Sequence, residues 1–238
     1  MGQANDSSTL TLVIGNRNYS SWSLRAWLFL TVNAVDFKTL RLPLDTEEFD
    51  RRIGDYSPSK TVPVLLHGER RIWDSLAICE YAAETLPHVQ AWPAAAEARA
   101  RARSVCCEMH AGFAALRREL PMNCRARGRH VTPCDSTRRD IARILEIWTD
   151  ARAKHAADGP WLFGDFTVAD AMFAPVALRF RTYSVAIPAA AAAWVETLLA
   201  HPAMVDWLSG AAAEPEVIPG DERGLSDADA PGTNRPSG

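Results

Sequence analysis

The sequence predicts a protein in two parts, a small mixed α/β domain followed by an all-helical domain. Between residues 10 and 86, short apolar runs that suit strands alternate with helix-like segments in the order β-α-β-α-β-β-α. Residues 87–93 contain two prolines and no periodicity, which indicates a linker. From residue 94 to 213 the apolar residues recur at helical spacing. We therefore expect one sheet-containing domain and one helical domain.

The first part carries the signals of four strands and three helices. We predict strands at residues 9–14, 36–42, 62–66 and 70–73, and helices at residues 21–34, 46–53 and 74–85. Gly15 and Pro43 end the first two strands, and residues 67–69 read as the turn of a hairpin. A parallel pair joined by a helix, followed by an antiparallel hairpin, implies a mixed sheet with helices on both faces.

The second part is predicted to contain five helices. They are expected at residues 94–120, 135–157, 167–180, 189–200 and 202–212. Residues 1–9 and 214–238 are predicted to be flexible tails, because the first is polar and the second is rich in Pro, Gly, Asp and Ser.

Composition excludes several classes of function. The 238 residues are 47% apolar and 23% charged, with a net charge of −3, so the basic bias of a nucleic-acid binder is absent. Apolar runs are interrupted well before membrane-spanning length, and the first residues lack a signal core. Five cysteines without a C-x-x-C pair argue against a disulfide framework and against a zinc site. We expect a cytoplasmic protein with no metal, no membrane and no nucleic-acid partner.

The turn after the first strand is the first place where chemistry is expected. Residues 18–25 open a helix, whose N-terminus offers free N–H groups and a positive partial charge. A thiol placed there ionises more readily, and a hydroxyl from Ser20 or Ser21 would donate a hydrogen bond to the thiolate. The turn contains no cysteine, so the thiol would have to arrive on a ligand. Simple capping of the helix by the serines is the alternative.

A proline inside an apolar strand is the second signal. Pro63 cannot donate to a strand ladder, and a cis bond between Val62 and Pro63 at a turn would explain its place. The backbone of Val62 could then pair with a peptide-like ligand as an added strand would. An edge-strand proline without a role is the alternative.

The third signal is another helix N-terminus, opened by Asp74 and Ser75. The hydroxyl and N–H of Ser75 would suit a carboxylate, and the carboxylate of Asp74 would suit an ammonium group. A γ-glutamyl group carries both charges. Capping alone is again the alternative.

Together these three signals resemble the thioredoxin-like N-terminal domain of glutathione transferases. Segment 20–25, SSWSLR, is similar to the Ser-Ser-Cys-Ser-x-Arg motif of the zeta class. Segment 60–64, KTVPV, is similar to the cis-proline motif, and Asp74-Ser75 to the Gln/Glu-Ser pair of the family. Segment 166–171, FTVADA, resembles the capping box of the helical domain. The resemblance extends from about residue 10 to 210, and it implies the glutathione transferase architecture.

The resemblance implies roles for individual residues. Ser20 would stabilise the thiolate of glutathione, with Ser21 as an alternate or helper. The backbone of Val62, beside a cis proline, would bind the cysteinyl backbone. Asp74 and Ser75 would hold the γ-glutamyl end. Glutathione would be a co-substrate, and no covalently bound cofactor is implied.

Three further residues and the quaternary structure follow from the same resemblance. Lys60 would reach the glycine carboxylate of glutathione. Thr167 and Asp170 would be structural, because they satisfy free N–H groups at the start of a buried helix. The family also implies a homodimer.

The sequence departs from the zeta pattern near the expected site. Trp22 stands where zeta enzymes have a cysteine, and Asp74 stands where they have glutamine. Arg179 and Arg181 lie near the place of the substrate-binding arginine of that class, although the spacing does not match. With Tyr183 and Trp22, these arginines are expected to line the pocket of the second substrate.

The favoured function is attack by the glutathione thiolate on a small, largely apolar electrophile. One alternative is glutathione-dependent cis–trans isomerisation of the maleylacetoacetate type. A peroxidase or reductase is less consistent with a turn that lacks cysteine. A transferase-like binding or scaffold module without turnover is the alternative from another class.

Other polar and aromatic features are interpreted as structural. His110 has no partner at ligand spacing, and the basic residues at 125–130 are interpreted as a solvated loop. Four tryptophans are expected to fill the helical core: Trp148, Trp161, Trp194 and Trp207.

Overall fold

The computed structural model describes residues 9–225 and begins with a four-stranded sheet. Its strands are β1 (Leu10–Ile14), β2 (Phe37–Arg41), β3 (Val64–His67) and β4 (Arg70–Trp73). They lie in the order β2-β1-β3-β4, with β1 parallel to β2 and antiparallel to β3, and with β3 antiparallel to β4. The helices of this domain are α1 (Ser21–Val32), α2 (Glu47–Tyr56) and α3 (Ser75–Thr85). The predicted mixed thioredoxin-like sheet is confirmed.

Strand β1 lies at the centre of the domain and is buried on both faces. Leu12 and Ile14 join the main core, which includes α1 and α3, whereas Val13 packs against Leu42 and Ile53 under α2. Burial on both faces explains why β1 reads as a continuous apolar run rather than an alternating one. The strand therefore gives a rigid support to the turn at its carboxyl end.

Six helices and a short 3-10 turn follow. They are α4 (Ala96–Ala111), α5 (Ala114–Glu119), α6 (Asp135–His155), α7 (Val168–Thr182), α8 (Ala189–Ala200), α9 (Pro202–Ala213) and the 3-10 turn at Pro219–Asp221. Helix α7 packs against α1 of the first domain as well as against α4. Nearly every residue of α7 is buried, because it lies between the two domains. Trp148, Trp194 and Trp207 are fully buried as expected, while Trp161 is only partly buried.

One predicted helix is two helices in the structure. The prediction of a single helix at 94–120 is wrong, because Gly112 is extended and Phe113 is left-handed with φ 60°. The Arg117 side chain turns back and donates to the carbonyls of Met109 and Gly112, which α4 leaves free at its end. A left-handed phenylalanine leaves no signal that the apolar spacing could show.

The segment after α9 is packed rather than flexible over the part that the structure describes. Within residues 214–225, Glu214 is buried against residues 17 and 18 of the first domain, and Glu222 pairs with Arg129 of the helical domain. Arg125 donates to the carbonyls of Glu214 and Glu216, so the solvated interpretation of the basic loop is also wrong for these arginines. Residues 226–238 of the predicted tail, and residues 1–8 of the other, lie outside the described residues.

Within residues 9–225, no helix combines the length and the hydropathy that a membrane span requires.

Candidate active site

A cavity of about 400 Å³ brings together the three segments that the sequence singles out. Trp22 reaches it from the start of α1, Val62 and Pro63 from the loop before β3, and Asp74 and Ser75 from the start of α3. Its full lining consists of Trp22, Ser59, Thr61, Val62, Pro63, Trp73, Asp74 and Ser75. The described lining does not include Lys60, which is exposed. Among residues 9–225 no group of three or more His, Cys, Asp or Glu side chains is placed to hold a metal ion.

The loop before β3 contains the expected cis proline. The bond between Val62 and Pro63 is cis. The ladder of β3 begins only at Val64, so Val62 stands outside it. Ser57 anchors the loop, since its Oγ accepts from Thr61 N at 3.4 Å and lies 2.9 Å from Ser59 Oγ. The loop thus presents the backbone of Val62 at the wall of the cavity.

The start of α3 offers one satisfied and one unsatisfied polar side chain. Asp74 is the N-cap, and its Oδ1 accepts from Leu76 N at 2.8 Å and from Ala77 N at 3.3 Å. Ser75 is fully buried, and its Oγ has no hydrogen-bond partner among the described residues. Buried hydroxyls are normally hydrogen-bonded, so this one is free for a ligand group.

A histidine from the helical domain also reaches the start of α3. His110 Nε2 lies 3.1 Å from Asp74 Oδ2, and the imidazole packs edge-on to Trp22 with ring centroids 5.2 Å apart. The interpretation of His110 as purely structural therefore missed a residue at the site. The two partners are 36 positions apart in different domains, so only the tertiary structure could reveal the pair.

Ser20 is the N-cap of α1 and is almost buried. Its Oγ accepts from Ser23 N at 3.4 Å and donates to Ser23 Oγ at 2.7 Å. Ser23 Oγ in turn accepts from Gly15 N at 3.1 Å, at the end of β1. The three residues form a chain of hydrogen bonds that ties the first turn of α1 to the central strand.

Ser21 is linked to the helical domain. Its Oγ accepts from Arg179 Nη2 at 3.3 Å. Arg179 also donates to the carbonyls of Leu120 and Arg117, which lie at the end of α5. Burial, together with the nearby Arg117, lowers the pKa of Arg179 to about 10. Arg179 thus joins α7, α5 and α1, and it does not line the cavity.

Trp22 contacts two guanidinium groups. The Arg25 Cζ lies 4.4 Å, and the Arg117 Cζ 5.0 Å, from the indole centroid, within the range of cation–π attraction. Arg25 is fully buried, and its guanidinium makes no hydrogen bond to the described residues. Burial and the like charges of Arg117 and Arg179 lower the pKa of Arg25. Three cationic side chains therefore lie around the start of α1.

Three of the four residues expected in a second-substrate pocket, Arg179 among them, lie outside the described lining of the cavity. The described lining of the cavity contains neither Arg181 nor Tyr183. Burial and nearby Arg127 lower the pKa of Arg181 to about 10, and burial raises the pKa of Tyr183 to about 12. The lining also omits Ser20 and Ser21, although Trp22 beside them contributes to it.

The capping box of the helical domain is present. Thr167 N donates to Asp170 Oδ2 at 2.8 Å, and Ala169 N donates to Thr167 Oγ1 at 3.2 Å. The other oxygen of Asp170 accepts from Leu162 N at 2.9 Å and from Trp194 Nε1 at 2.8 Å. Both residues are buried and far from the cavity lining, as a structural cap requires.

Comparison with known proteins agrees with this geometry. Residues 19–85 match the family described as "Glutathione S-transferase, N-terminal domain". A curated relative from Caenorhabditis elegans, described as "Probable maleylacetoacetate isomerase", is 31% identical over 100 residues. That match covers 42% of this chain and 46% of the relative, so it spans less than half the length of the relative.

Solved structures share the fold over most of the chain. A glutathione transferase homologue from Burkholderia gl BGR1, solved with bound glutathione, is 22% identical with a TM-score of 0.66, covering 87% of this chain and all of that one (100%). A tau class glutathione S-transferase from mango, Mangifera indica, is 21% identical with a TM-score of 0.65, covering 86% and 96%. The fold is that of the glutathione transferases. Within that fold, residues 19–85 are similar to the N-terminal domain of glutathione S-transferases.

Proposed function

We propose that this protein is a glutathione S-transferase that holds the glutathione thiol as a thiolate for attack on a small, largely apolar electrophile. One observation carries the proposal: a single cavity joins the start of α1, the cis Val62–Pro63 bond and the start of α3. A negatively charged, peptide-like ligand needs two helix N-termini and an unpaired backbone edge, and this cavity has all three.

Each part of glutathione has a complementary protein group in or beside the cavity. The γ-glutamyl carboxylate accepts from the hydroxyl and N–H of Ser75, whose Oγ has no other partner among the described residues. The ammonium group donates to the carboxylate of Asp74. The cysteinyl backbone pairs with Val62, and exposed Lys60 approaches the glycine carboxylate from the rim. This arrangement directs the thiol toward the start of α1.

The thiolate is stabilised by the N-terminus of α1 and by a serine hydroxyl. Ser20 and Ser21 both lie there, with 5% and 6% of their surface exposed. Tyr19 precedes them, but its phenol donates to Glu222 at 2.7 Å, and the pKa of Tyr19 is raised by burial and this contact. The Tyr19 hydroxyl is therefore not available to stabilise the thiolate. The buried cations Arg25 and Arg179 and the partly buried Arg117 add positive potential at the same helix end.

The chemical step is simple in this scheme. The thiol loses its proton to solvent, and the sulfur forms a bond to the electrophilic carbon. Either a leaving group departs with its electron pair, or the electron pair of a double bond takes up a proton. The protein contributes positioning and charge stabilisation.

A glutathione-dependent cis–trans isomerase is the second function that we propose to test. The supporting observation is the likeness to the C. elegans relative described as a probable maleylacetoacetate isomerase. Such a substrate needs a cation for its carboxylate. Arg179 is occupied with carbonyls and Ser21, which favours conjugation over isomerisation.

We also propose that the protein is a cytoplasmic homodimer. The supporting observations are the family relationship and a composition without basic bias. Trp73 adds a large exposed apolar side chain, 46% accessible. Analytical ultracentrifugation at micromolar concentration should give twice the chain mass, and a monomer would contradict the proposal.

The test of function combines retention and turnover. Wild-type protein should bind immobilised glutathione and conjugate glutathione to an activated aryl halide. Ser20→Ala or Ser21→Ala should lower kcat by at least about tenfold, since each pKa unit of thiol ionisation is worth about 1.4 kcal/mol. Ser209→Ala, an exposed change on α9, is the matched control. Retention without turnover of the aryl halide or of a cis-enone acid would favour the scaffold function instead.

A further inference from the structure

The turn between β1 and α1 is held by residues far away in the chain. Within the turn, Ser20 N donates to Asn16 O at 2.8 Å. Two backbone carbonyls of the turn bond to the helical domain: the Arg17 carbonyl accepts from Trp207 Nε1 at 2.9 Å, and the Asn18 carbonyl accepts from Cys124 N at 3.1 Å. The turn before Ser20 is therefore held in part by contacts that its own domain does not provide.

Glu214 makes the most direct of these contacts. It follows the last turn of α9, and only 8% of its surface is exposed. Its Oε1 accepts from Arg17 N at 2.7 Å and its Oε2 from Asn18 N at 3.0 Å. A buried carboxylate that accepts from two consecutive backbone N–H groups fixes both the direction and the depth of a turn, because charge-assisted bonds are short and directional.

Glu222 holds the next residue of the same turn. Its Oε1 accepts from the Tyr19 phenol at 2.7 Å and from Asn123 Nδ2 at 2.8 Å, and its Oε2 accepts from Arg129 Nη2 at 2.8 Å. Three successive residues, 17, 18 and 19, are thus tethered to the segment 214–222. The next residue in the chain is Ser20, the N-cap of α1.

We infer that Glu214 is a positioning residue for the thiolate site, with Glu222 as its second anchor. The inference rests on the proposed function, because it assigns to these carboxylates the placement of the serine turn against glutathione. Neither side chain lines the cavity, so neither touches the ligand. Their effect on the reaction passes through the backbone of residues 17–19.

Glu214→Gln is the informative variant. It preserves the shape of the side chain, but one oxygen becomes an NH₂ group that faces a backbone N–H. We expect amide hydrogens of residues 17–23 to exchange at least tenfold faster. We also expect kcat for conjugation to fall about tenfold. The KM for glutathione should change less than about threefold, because the proposed contacts of glutathione with Val62 and Ser75 are not altered.

A second variant separates positioning from loss of stability. Thr167→Ala removes the cap of α7. The Thr167 side chain hydrogen-bonds to Ala169 and Asp170 of the same helix, so the change should lower Tm without changing the kinetics. If Thr167→Ala reproduces both effects of Glu214→Gln, the inference is overturned. If the wild type turns over and Glu214→Gln matches it in kcat and amide exchange, the positioning role alone is overturned. A wild type without glutathione-dependent turnover overturns the proposed function, and this assignment with it.

Discussion

At the scale of single residues, Ser75 gives the strongest support for a ligand at the start of α3. Its hydroxyl is buried without a partner among the described residues, next to a helix N-terminus. A protein leaves such a group unsatisfied at a cost of about 1–3 kcal/mol. We propose that a bound carboxylate of glutathione offsets this cost, so that the hydroxyl serves ligand binding rather than stability.

Ser75→Ala should therefore weaken glutathione binding without lowering the stability of the protein. We expect about a tenfold or larger rise in Kd, because a hydrogen bond to a charged group is worth about 1.5–3 kcal/mol. The free energy of unfolding should not fall and should rise by up to about 1–3 kcal/mol, since no protein hydrogen bond is lost and a buried unsatisfied hydroxyl is removed. Isothermal titration calorimetry and urea unfolding measure the two quantities, with exposed Ser104→Ala as control. An unchanged Kd would remove Ser75 from the site.

Residues with local signals were found from the sequence, and residues with distant partners were not. Ser20, Pro63 and Ser75 each lie in a turn or at a helix start that the neighbouring residues in the sequence predict. His110 and Glu214 act on partners 36 and 197 positions away, so only packing reveals them. The burial of Arg25 could have been predicted from the sequence, because Arg25 is a lone charge on the otherwise apolar helix α1.

At the scale of elements, helices α4 and α6 are joined by a bidentate ion pair. Arg143 Nε and Nη2 lie 2.7 and 3.0 Å from the two oxygens of Glu108. The hydrogen bonds of Arg143 hold the pKa of Glu108 below its usual range, although partial burial opposes them. A lowered pKa in the folded state means that the pair adds stability above the pKa of unfolded glutamate, near about 4.3.

Glu108→Gln should therefore cost stability at neutral pH but not in acid. We expect a loss of up to about 1 kcal/mol at pH 7, since both side chains are about one-third exposed and screened by solvent. The difference from wild type should shrink as the pH falls below about 4.3 and the wild-type carboxylate takes up its proton. Thermal unfolding across pH measures it, with exposed Glu84→Gln as the reference. A difference that grows in acid would contradict this account.

The elements themselves were largely predictable, for physical reasons. The helical spacing of Ile141, Ile144, Leu145 and Trp148 located α6, and the hairpin turn at 67–69 located β3 and β4. The break at Phe113 was missed, because a left-handed phenylalanine is set by tertiary contacts. The order in residues 214–225 was missed for a related reason: a polar, proline-rich segment can be fixed by hydrogen bonds to another domain without any apolar pattern.

At the scale of the whole molecule, both domains contribute residues to the candidate site or to the elements around it. The first domain supplies the ligand walls, through the cis proline loop and the start of α3. The helical domain supplies α7 behind α1, Arg179 at Ser21, and the segment 214–222 at the turn. An isolated N-terminal domain would lack these contacts. The candidate site therefore lies near the boundary between the two domains, where ligand pockets commonly form.

The ultraviolet absorbance of thiolate in the glutathione complex, titrated with pH, shows whether a serine hydroxyl stabilises the bound thiolate. The measurement compares wild type with Ser20→Ala and Ser21→Ala. We predict that the bound thiol ionises at least about one pH unit below free glutathione in the wild type, and that one of the two alanine variants returns it to the free value. A bound thiol that titrates like free glutathione in the wild type would contradict the account.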